Sequence, residues 1–244
     1  MAAPALPSVD RALTATDRAA LSVAVDDLRR VFGARLHAVA AYGLARRGTG
    51  EPLHAIVLVE ALAFDDLAAC AALTPAWRKA GIGTPLILER HEFERSLDVF
   101  PLEYGEIVAH HVPVFGETPF TGVTVAPEDM RRAVELHAKS LVIHLREGFL
   151  ETAGDPQAIA GLIAASAPAF EVLLANIARL CGEPDGDLAG LAEGRVHIPA
   201  ATVRDILSAG AREPSGAEDL TPLLMRYIDA ARKIWSYVDG WRTR

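Results

Sequence analysis

Residues 41–59 read AYGLARRGTGEPLHAIVLV. One apolar run ends at Tyr42-Gly43, a turn rich in arginine and glycine follows, and a second apolar run starts at Leu53. Short apolar runs bounded by glycine and polar clusters are the pattern of strands, so strands are expected over 36–42 and 53–59. The turn Arg46-Arg47-Gly48-Thr49-Gly50 offers an anion two guanidinium groups and a run of backbone N–H groups, or serves as an ordinary hairpin-like loop.

The neighbouring segments continue the alternation. Residues 16–32 start at a polar Thr16 and stop at Gly33, which predicts a capped helix. A second helix is expected over 65–80, closed by Gly81 and Gly83, then a third strand over 85–88 and a fourth over 106–114. Near residue 125 the character changes. Pro127 suits a first helical position, and Met130, Val134, Leu141, Leu145 and Phe149 follow at helical spacing as far as Gly154. A helix over 157–181 carries Ile159, Ile163, Phe170, Leu174 and Ile177, with Pro168 kinking or splitting it. A short helix follows over 202–208. Residues 217–241 form the clearest amphipath, through Leu220, Leu224, Tyr227, Ala231, Ile234, Val238 and Trp241. Segments 182–194 and 210–216 read as loops. The second half is a four- or five-helix bundle on this pattern.

Composition sets outer limits. At 244 residues and 51% hydrophobic, the chain suits one large or two modest ordered domains. No apolar run approaches the roughly 18–20 residues of a membrane span, and the N-terminus lacks the basic and apolar regions of a secretory signal. Cys70 and Cys181 lie far apart in apolar helical contexts, so they read as buried free thiols in a cytoplasmic protein. The formal charge of −8, from 32 acidic and 24 basic residues, argues against non-specific nucleic-acid binding.

The 41–59 stretch resembles the signature of the nucleotidyltransferase superfamily of antibiotic-modifying enzymes and small antitoxin-like (MNT-like) transferases. That signature is a strand, Gly-Ser, an Ala/Arg/Gly turn, and a strand with two Asp separated by one residue. The resemblance implies that the glycine lets the backbone approach a triphosphate and that the serine helps hold it. It also implies that the two Asp, with a third carboxylate from a neighbouring strand, hold two divalent metals. Laid on this chain without a gap, the pattern keeps Gly43, Ala45, Arg47 and Gly48. Leu44 stands at the serine position, and Ala55 and Val57 stand at the two Asp positions. Residues 85–88 contain no carboxylate, so none of the three metal-ligand positions is filled.

Neighbouring acids substitute poorly. Glu60 is five residues beyond Ala55, on the opposite sheet face and roughly 16 Å along the strand, whereas paired metals sit about 3.5–4 Å apart. Glu89, at the end of the third strand, is the better spare carboxylate, but it stands alone. Beyond the motif, residues 96–117 and 136–156 look like uncharacterised bacterial proteins in which a transferase domain precedes a helical bundle. Those bundles are similar to the ones attached to kanamycin nucleotidyltransferase and to HEPN domains.

The resulting expectation is an α+β protein: a small mixed-sheet, degenerate nucleotidyltransferase-like domain over 1–124 and an α-helical bundle over 125–244. It is expected to act by binding rather than transfer, with no cofactor and no metal. The vestigial pocket is assigned to Gly43, Leu44, Arg46, Arg47, Gly48, Ala55, Val57 and Glu89. A nucleotide or other anion is expected near the glycine turn, and a protein partner or second copy on the bundle. Two rivals remain: an active transferase with a ligand set around Glu89, and a HEPN-like ribonuclease resting on Arg132 and His137. The latter pair has the Arg-x4-His spacing, but residues five apart diverge around a helix. His110-His111 beside Glu106 suggests a metal site only weakly, because strand parity lets one histidine at most join Glu106. His54 borders the vestigial pocket. No Gly-x-Ser-x-Gly, Walker A or Cys-x-x-Cys motif occurs.

Overall fold

A computed structural model describes residues 13–44, 47, 50–116, 120–183, 186–215 and 218–241. The chain divides into two compact units, Met1–Val125 and Ala126–Arg244.

The first unit opens with helix α1 (Ala15–Phe32), whose N-terminus is closed by a reciprocal capping box between Thr14 and Asp17. Strands β1 (Leu36–Tyr42) and β2 (His54–Val59) follow, then α2 (Phe64–Lys79), β3 (Leu86–Glu89), α3 (Arg90–Arg95), α4 (Pro101–Ala109) and β4 (His111–Phe115). The sheet order is β3-β2-β1-β4. β1 runs antiparallel to both β2 and β4, while β2 and β3 are parallel, so the sheet is mixed.

Strand alternation divides the core into two layers. On one face Val39, Ala41, Ala55, Val57 and Val59 pack with Leu21, Leu28 and Phe32 of α1 and Cys70 and Trp77 of α2. On the other, Ala38, Ala40, Ile56 and Leu58 pack with Phe93 of α3, Tyr104 and Ile107 of α4, and Phe120. Both faces of the central strand β2 are therefore buried, which explains its unbroken apolar run.

Two buried carboxylates tie helices to this frame. Asp27 accepts a 2.9 Å hydrogen bond from the Trp77 indole and pairs with Arg30, joining α1 to α2. Asp66 accepts from both terminal nitrogens of Arg35, at 2.6 and 2.7 Å, and from the Ala63 N–H at 2.9 Å. The Arg35 fork, with help from Ala63, holds the Asp66 carboxyl down at about 2. An unfolded aspartate titrates near 3.9. Ionised Asp66 thus favours the folded state fully above about pH 4, and that contribution disappears as pH falls towards 2. Asp66→Asn is expected to flatten this acid limb of the stability curve, as followed by urea midpoints between about pH 2 and 5; an unchanged limb counts against the pair.

The fourth strand differs from expectation. Residues 106–109 complete helix α4, and the strand begins only at His111. Pro101 sits in the first turn of α4, and Leu102, Tyr104 and Ile107 bury one helical face against the sheet. A run this short has no readable period, so packing decided it.

The second unit is helical: α5 (Pro127–Glu151), α6 (Pro156–Leu180), α7 (Leu188–Leu191), α8 (Ala200–Gly210) and α9 (Thr221–Gly240). Its core gathers Val134 and Leu145 from α5, Ile163, Phe170 and Ile177 from α6, Val203 and Ile206 from α8, and Tyr227, Ile234 and Val238 from α9. Helix α6 runs unbroken through Pro168, with Ile163, Ala167 and Phe170 buried around it. The supposed loop over 182–194 contains α7, capped by the Asp187 carboxylate on the N–H groups of Ala189 and Gly190, and runs on into a π-helical turn, Ala192–Val196.

The reading of apolar runs needs correction as well. Helix α6 contains an 18-residue window of mean hydropathy 1.9, long and apolar enough by length and composition to cross a membrane. The core helix of a bundle meets the same criterion, and Ile159, Ile163, Phe170, Leu174 and Ile177 are buried in this one. Both cysteines are free thiols; Cys70 is buried, but Cys181 is only half-buried, its Sγ 3.3 Å from the Tyr237 hydroxyl.

Candidate functional site

The strand β1 ends at Tyr42, and Gly43 leaves it with φ +71°, a left-handed conformation that glycine adopts without a Cβ penalty. Leu44 folds back against the core shared with α1 and α2. Arg46 and Gly48 lie outside the described residues. Arg47 is engaged within the protein. Its Nε donates to the Glu51 carbonyl and a terminal nitrogen to Asp17 Oδ1, each at 2.8 Å. The hydrogen bond from Arg47 lowers the Asp17 carboxyl below its ordinary value. Arg47 therefore ties the turn to the capped start of α1, a contact between residues thirty positions apart.

Ala55 and Val57 face the α1–α2 layer at 5% and 0% exposure, paired in register with Ala41 and Val39. Neither presents an atom to an open pocket. Sliding the motif by one residue offers Ile56 and Leu58, which are equally buried, at 1% each, under Phe93 and Tyr104. The strand His54–Val59 holds no carboxylate on either face.

Glu89 does not compensate. It pairs in register with Val59, at the far end of β2 from the Tyr42–His54 pair. Five residue steps along the strand separate those ends, roughly 16 Å. Its Oε1 accepts from the Leu62 N–H at 2.8 Å, and its Oε2 lies 3.3 Å from His91 Nε2. Glu89 thus staples the loop between β2 and α2 while it lines a cleft of about 530 Å³ with Leu62, His91, Glu92, Arg95 and Ser96. The described residues of the assigned pocket fall into three places: the turn at Gly43, the core beneath α1 and α2, and this cleft. Paired divalent metals do not fit such a set, and no group of three or more His, Cys, Asp or Glu among the described residues is placed to hold an ion.

The other constellations resolve into helix-surface pairs. Glu106 on α4 and His110 at its C-terminal cap are four residues apart, with His110 Nδ1 3.3 Å from the carboxylate. The strand-parity argument for them fails because residue 106 is helical. Arg132 and His137 are both exposed on α5, and Arg132 pairs with Asp129.

Sequence reasoning missed one arrangement. Tyr42 is the register partner of His54 on β2 and of His111 on β4, so three rings form a row across the sheet at the Gly43 end. Residues 42, 54 and 111 carry no spacing signal; only strand pairing makes them neighbours.

No protein-family model and no curated protein matches the chain. Among solved structures it is similar to spectinomycin adenyltransferase from Enterococcus faecialis, crystallised with ATP and spectinomycin. The TM-score is 0.51 at 10% identity, over 88% of this chain and 98% of that one. At that identity the likeness concerns fold alone. The chain shares its α+β fold, a mixed four-stranded sheet followed by helices, with that adenyltransferase.

Proposed function

We propose that this protein is a nucleotidyltransferase-fold binding protein without metal-dependent transfer chemistry, taking a nucleotide or related anion at the Gly43 turn. The observation that carries the reading is the absence of any carboxylate on β2, in either register, combined with burial of both its faces. Transfer in this fold, as the resemblance implies, needs clustered carboxylates to hold metal against a leaving pyrophosphate. Here an apolar core occupies those positions, and Glu89 is committed to Leu62 and His91 at the other end of the sheet. What remains suited to an anion is the glycine turn, with its positive-φ Gly43 and an arginine-rich sequence. The similar solved enzyme is bound to ATP, which makes a nucleoside triphosphate the first ligand to try.

The test is calorimetric titration of ATP with magnesium and, separately, with excess EDTA, alongside a pyrophosphate-release assay with spectinomycin and other aminoglycosides as acceptors. Equal affinity with and without chelator, and no pyrophosphate, is the expected result. Metal-dependent pyrophosphate release that Glu89→Gln abolishes would overturn the proposal in favour of transfer on a different ligand set.

A further inference from the structure

The ring row beside Gly43 has the makings of a recognition surface. Tyr42, His54 and His111 are direct cross-strand neighbours, so their side chains leave the sheet on one face. The Tyr42 and His54 rings are stacked, with centroids 5.7 Å apart and planes at 29°. His111 stands edge-on to Phe120 at 4.7 Å, and its Nδ1 lies 3.1 Å from the Val108 carbonyl, which orients the ring. Burial lowers the affinity of His111 for a proton, so at neutral pH it is an uncharged ring. Tyr42 and His111 are half-buried, whereas His54 is exposed.

Two glycines lie beside the His54 ring. A Cβ placed on Gly43 would lie 3.8 Å from His54 Cδ2, and one on Gly83 would lie 3.6 Å from Nδ1. Two glycines therefore border the ring edge where other residues would set side chains against it. The fold itself gains little from an exposed ring at the first position of β2. A stacked pair with one accessible member, next to backbone that can approach a phosphate, suits a ligand that joins a flat ring to an anion.

We propose that the Tyr42–His54–His111 row is a stacking platform for the nucleobase of a nucleotide whose phosphates lie against the Gly43 turn. The inference rests on the binding reading above and adds to it the class of ligand and the residues that would discriminate it. Base stacking on aromatic side chains is tolerant of base identity, because every base has a π-face. The platform therefore distinguishes nucleotides from inorganic polyphosphate rather than one base from another.

The experiment compares ATP, GTP and inorganic tripolyphosphate by titration calorimetry in EDTA, using the full chain and its His54→Ala and His54→Phe variants, with thermal melts as folding controls. The two nucleotides are expected to bind about tenfold more tightly than tripolyphosphate. His54→Ala should erase that difference, and His54→Phe, which keeps a ring, should retain it. In the wild-type chain, the His54 ring protons should shift upfield in NMR spectra with ATP and stay in place with tripolyphosphate. Equal affinities for all three ligands with no effect of His54→Ala would overturn the platform and leave anion binding standing. Absence of binding by any of them would overturn both readings.

Discussion

Val57→Asp, which places an acid where the signature that residues 41–59 resemble carries one, is expected to unfold the first unit rather than create a metal site. Val57 is fully buried between Val39 of β1 and the α1–α2 layer, among Leu28, Cys70 and Trp77. A carboxylate there has no cation and no hydrogen-bond donor prepared for it. An unpaired buried charge costs several kcal/mol, so a loss of about 4 kcal/mol or more is expected at neutral pH. The sign with pH is definite. Burial raises the pKa of the new aspartate in the folded state, so the folded form prefers it protonated, and the damage grows as pH rises above about 4. Urea unfolding of the wild type and variant at pH 4 and pH 7, with and without manganese, measures this. A variant as stable as wild type, or one that manganese rescues, would mean that residue 57 faces an accessible pocket.

Phe93→Ala is expected to cost about 3–5 kcal/mol. Phe93 is 1% exposed and packs its ring at 4.8 Å from Tyr104 and 5.0 Å from Phe120, over Ile56 and Leu58. Those rings fill the second face of the sheet. Truncation removes the transfer energy of the ring, leaves a cavity that α3 and α4 cannot close, and forfeits two ring contacts. The readout is the urea midpoint, together with near-ultraviolet dichroism for the loss of ring order. A loss under about 1 kcal/mol would indicate that this face is loosely packed, with room for a ligand over Ile56 and Leu58.

The parts of the fold that could be read ahead of the structure were those with a long period or a strong stop. The α1 helix was legible from its apolar period and its stop at Gly33, although its cap is Thr14 and not Thr16, and α5 and α9 from apolar residues repeated over five or more turns. Strands β1 and β2 stood out as apolar runs on either side of a glycine turn. Local pattern failed where the segment was short. Residues 106–109 looked like the start of a strand, and their helical state came from the burial of Leu102, Tyr104 and Ile107 on one side. The same holds for α7, four residues long and dependent on the Asp187 cap.

The candidate site divides along a similar line. Alternation alone put Ala55 and Val57 on one face of β2, and Ile56 and Leu58 on the other. It did not reveal that α1 and α2 cover the first face and α3 and α4 the second. Arg47 looked available from its neighbours in the turn, yet its partner is Asp17. Glu89 looked close to the motif in the linear order of strands. The parallel pairing of β2 with β3 carries it to the end of the sheet opposite Gly43.

The sequence by itself determined that strand β2 has no carboxylate to give a metal, because no packing arrangement changes which side chains a strand contains. The tertiary structure alone decided that positions 55 and 57 are filled with core, that Glu89 is spent on a loop, and that Tyr42, His54 and His111 stand side by side. Those facts depend on strand register and on contacts between residues tens of positions apart, which local backbone preference does not encode.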